Sequence, residues 1–331
     1  MQMNSGSSFK TFIALLAVML LLVATTAVAR AQASRAATAA SYFDRGSQWH
    51  AKGELDRAIG DYSLAITFDP QHAPAHFQRG MAHRIKGDFD GALADFSRTL
   101  EIRPDLAAAW NSRGAIRWLR GSHDEAIADF NHAIELDPRS ADAWYNRGCA
   151  RLGQKDFQAA IADFDQVIRV NKKHAAAWNN RGNARIALGN AEGALADFNQ
   201  AIRLDPRRAS AWSNRGNIRY DKRDWDGAIA DHSRAIELEP RLVESWNNRA
   251  NARRARGDLD GAIADYSRAL DLNPGYALCY ANRGVAWLMK GSIVEAERDF
   301  DQCRELAGHL PPHVVQRINR TPKASPIHPP K

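Results

Sequence analysis

Residues 107–140 read AAAWNSRGAIRWLRGSHDEAIADFNHAIELDPRS, and residues 141–174 read ADAWYNRGCARLGQKDFQAAIADFDQVIRVNKKH. Laid one above the other, they share tryptophan at position 4, arginine at 7, glycine at 8, alanine at 20 and aspartate at 23. The same step of 34 residues carries the arginine along the chain as Arg45, Arg79, Arg113, Arg147, Arg181, Arg215, Arg249 and Arg283. It carries the aspartate as Asp61, Asp95, Asp129, Asp163, Asp197, Asp231, Asp265 and Asp299. A fixed period of this size marks one small unit stacked on copies of itself. Eight blocks follow: 39–72, 73–106, 107–140, 141–174, 175–208, 209–242, 243–276 and 277–310.

Each recurring position has a physical reason. Glycine at 8, replaced once by Ala250, and alanine at 20 let two helix backbones approach closely. Aromatic residues at 4 (Tyr42, Trp110, Trp144, Trp178, Trp212, Trp246 and Tyr280, with His76 the exception) and at 24 fill the space left between the helices. Glycines such as Gly53, Gly87, Gly121, Gly189, Gly257 and Gly291 end the first helix of a block by accepting left-handed geometry. Proline at 32 stops the second helix, because it lacks a donor and drives its predecessor out of the α region. Between these breakers, Ala126, Ile127, Phe130, Ala133 and Ile134 recur at helical spacing, and no strand signal is present. The expected fold class is all-α, one helix–turn–helix repeated eight times.

The pattern resembles the tetratricopeptide repeat family over residues 39–310. It departs from that family in placing arginine at position 7, where leucine is usual. A further arginine stands at position 11 (Arg117, Arg151, Arg185, Arg219 and Arg253), where tyrosine is usual. The resemblance implies a right-handed superhelical solenoid whose first helices line a concave groove, and a non-enzymatic scaffold that binds peptides or proteins there.

The flanks differ from the array. In residues 1–29, Lys10 precedes an apolar run from Phe12 to Ala24, and small residues lead to Ala27-Val28-Ala29 or Ala31-Gln32-Ala33. A basic start, a short apolar middle and an A-x-A end describe a secretory signal peptide, with 30–38 as a linker. The rival reading is an uncleaved anchor in the inner membrane, with the repeats outside. In both readings the array lies beyond the cytoplasm, in the periplasm or secreted. At the other end, Val314, Val315 and Ile318 suit a short helix capping the last repeat. From Thr321 the basic, proline-rich tail to residue 331 lacks the apolar surface needed for order.

The formal charge of +7 lies outside the array: Lys10, Arg30 and Arg35 precede it, Arg317, Arg320, Lys323 and Lys331 follow it, and neither flank holds an acid. An array without net charge lacks the electrostatic footprint of a phosphate binder, so no nucleic-acid partner is expected. Cys149, Cys279 and Cys303 are too few for a disulfide framework, although antiparallel packing could bring Cys279 to Cys303. The alternative makes those two small core residues.

Two sets of side chains are candidates for function. Arg147, Arg181 and Arg215 with Asp163, Asp197 and Asp231 read as a ladder of ion pairs, closing within a repeat or across a repeat boundary. The same arginines could instead form a row of anion receptors. Positions 2, 5, 6, 9, 12 and 13 of each first helix are expected to face the groove. Position 6 is Asn146, Asn180, Asn214, Asn248 and Asn282; position 9 adds Asn183, Asn217 and Asn251; position 5 adds Asn111, Asn179 and Asn247. An amide offers two donors and an acceptor, which suits it to hold a peptide backbone without reading side chains. Some members of the family carry asparagines at position 6 for this purpose. The other reading has them solvated or bonded to one another. The earlier blocks place Asp44, Gln78 and Ser112 at position 6, beside apolar Phe43, Phe77 and Trp118.

No nucleophile and base share a recognisable arrangement, and no cofactor is expected. His72, His76 and His83 come nearest to a metal-ligand spacing but straddle a helix start, so no metal is expected. The reading is an exported scaffold binding an extended peptide or partner protein. Its alternatives are a membrane-anchored assembly factor of an envelope complex and a glycan or cell-wall polymer binder using Tyr145, Trp118 and the asparagines.

Overall fold

The structure, a computed structural model, describes residues 5–312 and 314–316, with the side chains of 5–15, 17 and 18 left aside. The described residues form helices in tandem and no strand. They fall into two compact units that meet in sequence at Gln154 and Lys155. The first holds α1 (Ser5–Ala51), α2 (Leu55–Phe68), α3 (Ala73–Lys86), α4 (Phe89–Ile102), α5 (Ala107–Leu119), α6 (His123–Leu136) and α7 (Ala141–Gly153). The second holds α8 (Phe157–Val170), α9 (Ala175–Ala187), α10 (Ala191–Leu204), α11 (Ala209–Asp221), α12 (Trp225–Leu238), α13 (Val243–Arg256), α14 (Leu259–Leu272), α15 (Ala277–Lys290) and α16 (Ile293–Ala307).

Helix α1 corrects one expectation. Residues 30–38, read as a linker, are helical and run without a break into the first helix of the first repeat. Between Gly6 and Gly46 there is neither glycine nor proline, and alanine, the strongest helix former, is frequent. Burial begins at Ala39, the first position of the first block. Before it, Leu16, Met19, Leu20, Leu21, Leu22, Val23 and Val28 all stand exposed. Among the described side chains, no helix is long and apolar enough to cross a membrane.

The turns explain where helices stop. Second helices begin on side-chain caps: Asp88, Asp156, Asn190, Asp224 and Asp258 each accept from the amide three residues on. First helices end on left-handed glycines, as at Gly189 (φ 78°) and Gly257 (φ 96°). Lys155 (φ 63°) and Arg223 (φ 61°) hold that conformation without being glycine.

Within a pair, glycine at position 8 lets the ring at position 24 lie flat on the helix. A Cβ on Gly114 would stand 2.8 Å from Phe130, and one on Gly182 would stand 2.6 Å from Phe198. Those rings are at most 1 % exposed, and burying each contributes on the order of 2–3 kcal/mol. The aromatics at position 4 meet the second helix of their own pair, as expected from sequence: Tyr42 stacks on Phe68 at 5.6 Å between ring centroids, and Trp110 meets His132 at 4.6 Å. They also reach the repeat before. Trp110, Trp144, Trp178, Trp212 and Trp246 are half-buried at the junction with the preceding repeat. Each indole N–H donates to the carbonyl of that repeat's position 32, over 2.8–3.0 Å. His76, the exception in the series, reproduces the bond: its Nε2 lies 3.2 Å from the Pro70 carbonyl.

After α16, Val314 is fully buried against Ala281, Val285, Phe300 and Cys303 and closes the apolar end of the last repeat. Ile318 and the tail beyond lie outside the described residues. Cys279 and Cys303 are free thiols in separate apolar clusters. Burial pushes the Cys279 thiol up to about 12, so it is an inert core residue.

Candidate functional site

The arginine at position 7 is the busiest side chain of each repeat. In seven described pairs, from Arg45–Asp61 to Arg283–Asp299, Nε and Nη2 grip both carboxylate oxygens of the aspartate sixteen residues on, at 2.6–3.0 Å. That pair ties the two helices of one repeat together. The third nitrogen, Nη1, reaches back to position 25 of the preceding repeat: Ser63, Ser97, Asn131, Asp165, Asn199, Ser233 or Ser267. The guanidinium also lies over the aromatic at position 4, at 4.6–4.8 Å from the ring centroid for the five tryptophans. Arg117, Arg185, Arg219 and Arg253 add a second cation to the same aspartates at 2.8–2.9 Å. Arg147 stacks on Trp144 in the first unit, and Asp163 is buried in the second.

These arginines have their donors engaged. Burial acts to lower the Arg181 pKa, and the carboxylates of Asp197 and Asp165 outweigh it and raise it. At the start of the array the Arg45 guanidinium holds the Asp61 carboxyl below the usual carboxylate range. The ladder is therefore bracing and leaves no row of free anion receptors.

A second ladder escaped the sequence reading. Position 14 pairs with position 18 of the preceding repeat in Lys86–Asp56, Arg120–Asp90, Lys222–Glu192, Arg256–Asp226 and Lys290–Asp260. The recurring base at 14 and acid at 18 were the available signal. All these pairs are exposed and screened by solvent, so each adds little to stability.

The asparagines divide into two groups. Those at positions 5 and 6 bond one another or an asparagine at position 9, mostly across neighbouring first helices. Asn146 donates to Asn111 at 3.0 Å, Asn214 donates to Asn179 and Asn183 at 3.2 and 2.8 Å, Asn248 donates to Asn217 at 2.9 Å, and Asn282 donates to Asn247 at 3.2 Å. Asn180 accepts from Asn179 at 3.2 Å. Asn179, Asn247 and Asn282 are buried, which removes position 5 of these repeats and Asn282 from the surface expected to meet a ligand. The packed neighbour fills the space that a helical wheel assigns to the groove.

Position 9 is different. Asn183 and Asn217 spend their carbonyls on Asn214 and Asn248, and the Asn251 carbonyl accepts from Tyr266 and Arg254. Among the described residues the NH2 groups of these three donate to nothing. In the second unit they line two adjoining open cavities. One, of about 270 Å³, lies among Asn183, Ile186, Phe198, Asn214, Asn217, Ile218 and Asp221. The next, of about 210 Å³, lies among Asn217, Tyr220, Asp221, Asn248 and Asn251. Asp221, at position 13, is a component that the sequence reading missed. In the first unit a mainly apolar cavity of about 350 Å³ is lined by Ala115, Trp118, Leu119, Phe130, Tyr145, Asn146 and Cys149. A more polar one of about 440 Å³ includes Arg84, Asn111, Ser112, Asp137 and Asp142.

The three histidines take separate tasks: His72 caps α3, His76 contacts Pro70 and Asp95, and His83 pairs with Asp88. Among the described residues no group of three histidine, cysteine or acidic side chains could hold a metal.

Models of the tetratricopeptide repeat match residues 73–106, 118–155, 145–209, 180–241 and 250–291. The chain belongs to the tetratricopeptide repeat family. Solved structures agree in fold. A tetratricopeptide repeat protein from Parabacteroides merdae is 18% identical, with TM-score 0.57, over 78% of this chain and 99% of that one. Pseudomonas aeruginosa pilF is 17% identical, with TM-score 0.58, over 66% and 98%. The Cut9–Hcn1 hetero-tetramer of APC/C is 16% identical, with TM-score 0.61, over 81% of this chain and 53% of the other. This chain thus spans about half the length of that last relative. Among curated proteins none matches. Tetratricopeptide repeats make a scaffold for protein–protein contact, which is the class of function the fold supports.

Proposed function

We propose that this chain is a non-catalytic scaffold that holds an extended segment of a partner protein along the exposed face of its first helices. The observation that carries this reading is the set of unspent NH2 groups on Asn183, Asn217 and Asn251, one per repeat, opening on adjoining cavities. A peptide backbone offers carbonyls in a row, and amide donors fixed by their own hydrogen bonds meet them with little loss of side-chain freedom. Asn214 and Asn248 at position 6 set the orientation of the Asn183 and Asn217 amides, and Tyr266 sets that of Asn251. In the first unit, the cavity floored by Trp118 and Leu119 suits an apolar side chain of a bound segment.

The test is selection of random twelve-residue peptides displayed on phage against the full chain. Selected peptides are expected to lose at least tenfold in affinity for Asn183→Ala/Asn217→Ala/Asn251→Ala. Alanine favours the helix, so the variant keeps its circular dichroism. Equal binding by that variant would move the site elsewhere.

The chain is also proposed to act outside the cytoplasm, delivered by its N-terminal segment. The basic start, the apolar run and the A-x-A sequences of residues 1–33 support this. With signal peptidase inhibited, the mature form should be replaced by a longer one. An unchanged length in both conditions would favour the anchored alternative.

A further inference from the structure

Asp221 stands where neither helix stability nor ion pairing accounts for it. It is the last residue of α11, where the exposed carbonyls already carry partial negative charge and a carboxylate is disfavoured. In the other repeats position 13 is Ala51, Ile85, Leu119, Gly153, Ala187, Ala255 or Met289. Nearby cations face other partners: Lys222 pairs with Glu192, Arg219 with Asp224 and Asp231, and Arg254 donates to Asn251, while Arg223, in the turn two residues on, makes no ion pair among the described residues. Among the described residues Asp221 has neither ion pair nor hydrogen bond through its side chain. It nevertheless lines both amide-rich cavities of the second unit, between the NH2 groups of Asn183 and Asn251.

We infer that Asp221 selects the partner: the extended segment held by the asparagines carries a lysine or arginine whose cationic head meets this carboxylate. This rests on the peptide-binding reading above and names the chemistry of the peptide. The surroundings fit a long cationic side chain. Ile186 in one cavity and Tyr220 in the other offer apolar surface to its methylene stem, while the head reaches the carboxylate and the carbonyl ends of α11. A cation there offsets both the carboxylate and the helix terminus that faces it. Asp221 is exposed, and an acidic side chain at the same point would meet its like charge, so the site discriminates by repulsion as well as by attraction.

The experiment uses the phage-selected peptides on the full chain. Selected sequences should share a basic residue, and a synthetic copy with norleucine there should bind the wild-type chain at least tenfold more weakly. Asp221→Asn should make the lysine and norleucine peptides equal while leaving the norleucine affinity unchanged. Asp221→Lys should transfer the preference to a glutamate peptide. Equal binding of lysine and norleucine to the wild type, or a lysine preference that survives Asp221→Asn, overturns the assignment. If peptides depend on the asparagines but carry no basic residue, this inference fails alone; if no peptide is selected, the scaffold reading fails with it. The chain's own Arg317, Arg320 and Lys323 provide the last arm. Their replacement by glutamine should alter peptide affinity less than twofold. A tenfold gain would make the tail the occupant and overturn assignment to a partner.

Discussion

Repeat 5, residues 175–208, and repeat 6, residues 209–242, share one frame, and three of the positions at which they differ bear on stability. Arg181 grips Asp197 as Arg215 grips Asp231, each under a tryptophan and each bonded to the repeat before. Repeat 5 then has Ala187, Gly189 and Phe198 where repeat 6 has Asp221, Arg223 and His232. Each residue of repeat 6 is the poorer choice for folding. Asp221 opposes the helix dipole. Arg223 holds a left-handed turn with a β-carbon (φ 61°). His232 puts two ring nitrogens without partners where repeat 5 puts a phenyl ring. Asp221 lines the amide-rich cavities, and His232 packs on Gly216, the neighbour of Asn217, so two of the three departures lie at or beside them. Departures from local rules that bunch together mark places kept for something other than stability.

The shared frame gives the largest effect. Arg181 is 11 % exposed over an aspartate that is 1 % exposed, whereas Arg45 at the start of the array is 55 % exposed. Arg181→Leu leaves a buried carboxylate short of a cation and should cost ~3 kcal/mol, and Arg215→Leu about as much. Arg185 still reaches Asp197, which keeps the loss at the lower end. Arg45→Leu removes a solvent-screened partner and should cost clearly less than either. Urea unfolding of the three variants checks the order. The double variant Arg181→Leu/Asp197→Leu should be better tolerated than the two single losses summed. If Arg181→Leu is as mild as Arg45→Leu, the ladder is not what joins the repeats.

The core difference is next. Burial, with the Arg249 charge nearby, depresses His232 to about 4. The folded chain therefore holds this imidazole neutral while the unfolded chain protonates it near its ordinary pKa of about 6.5. Stability attached to it is complete above that value and falls away as pH drops toward about 4. His232→Phe should stabilise the chain, and its advantage should grow by ~2 kcal/mol between pH 7.5 and pH 5. Phe198→His in repeat 5 should introduce the same acid sensitivity. Thermal melts at both pH values read this directly, and parallel pH profiles for His232→Phe and wild type would contradict it.

The two repeats also show what a sequence can disclose. The helix pairs and the matched arginines and aspartates follow from the 34-residue step, because a charge that recurs in register with its opposite in every unit is placed to be neutralised by it. The partner at position 25 was legible in principle, since Ser63, Ser97, Asn131, Asp165, Asn199, Ser233 and Ser267 are all short and polar. What varies in identity while keeping its chemistry is easily passed over. The asparagines were harder. Position 6 looks outward on a single helix, but its amide is taken up by residues 31 and 35 places earlier, on a neighbour that a helical wheel does not contain. That left position 9 with the free donors. His232 was visible as a break in the position-24 series, whereas its lack of hydrogen-bond partners emerges only from packing.

The turn at position 15 gives a smaller effect. Arg223→Gly should relieve the left-handed strain and stabilise by ~1 kcal/mol, less the extra freedom glycine gives the unfolded chain. Gly189→Arg in repeat 5 should cost a similar amount. Denaturant midpoints shifting in opposite directions, with unchanged slopes, would establish that the two turns differ by this term alone.

The smallest effect decides how the comparison is read. Removing the charge of Asp221 takes a carboxylate away from a helix C-terminus, so Asp221→Asn should stabilise the free chain by ~0.5 kcal/mol. Ala187→Asp should cost repeat 5 about as much. The size is close to the error of an unfolding experiment, so the sign is better read from hydrogen exchange in the last turn of α11, where opening depends directly on that terminus. Salt provides a further check: the gain should shrink as ionic strength rises, because a dipole interaction at an exposed terminus is screened. A stabilising Asp221→Asn that also abolishes preference for a basic peptide would mean that the carboxylate is maintained against the stability of its own helix. A destabilising Asp221→Asn would instead reveal a folding role and remove the reason to look for a cation in the cavity.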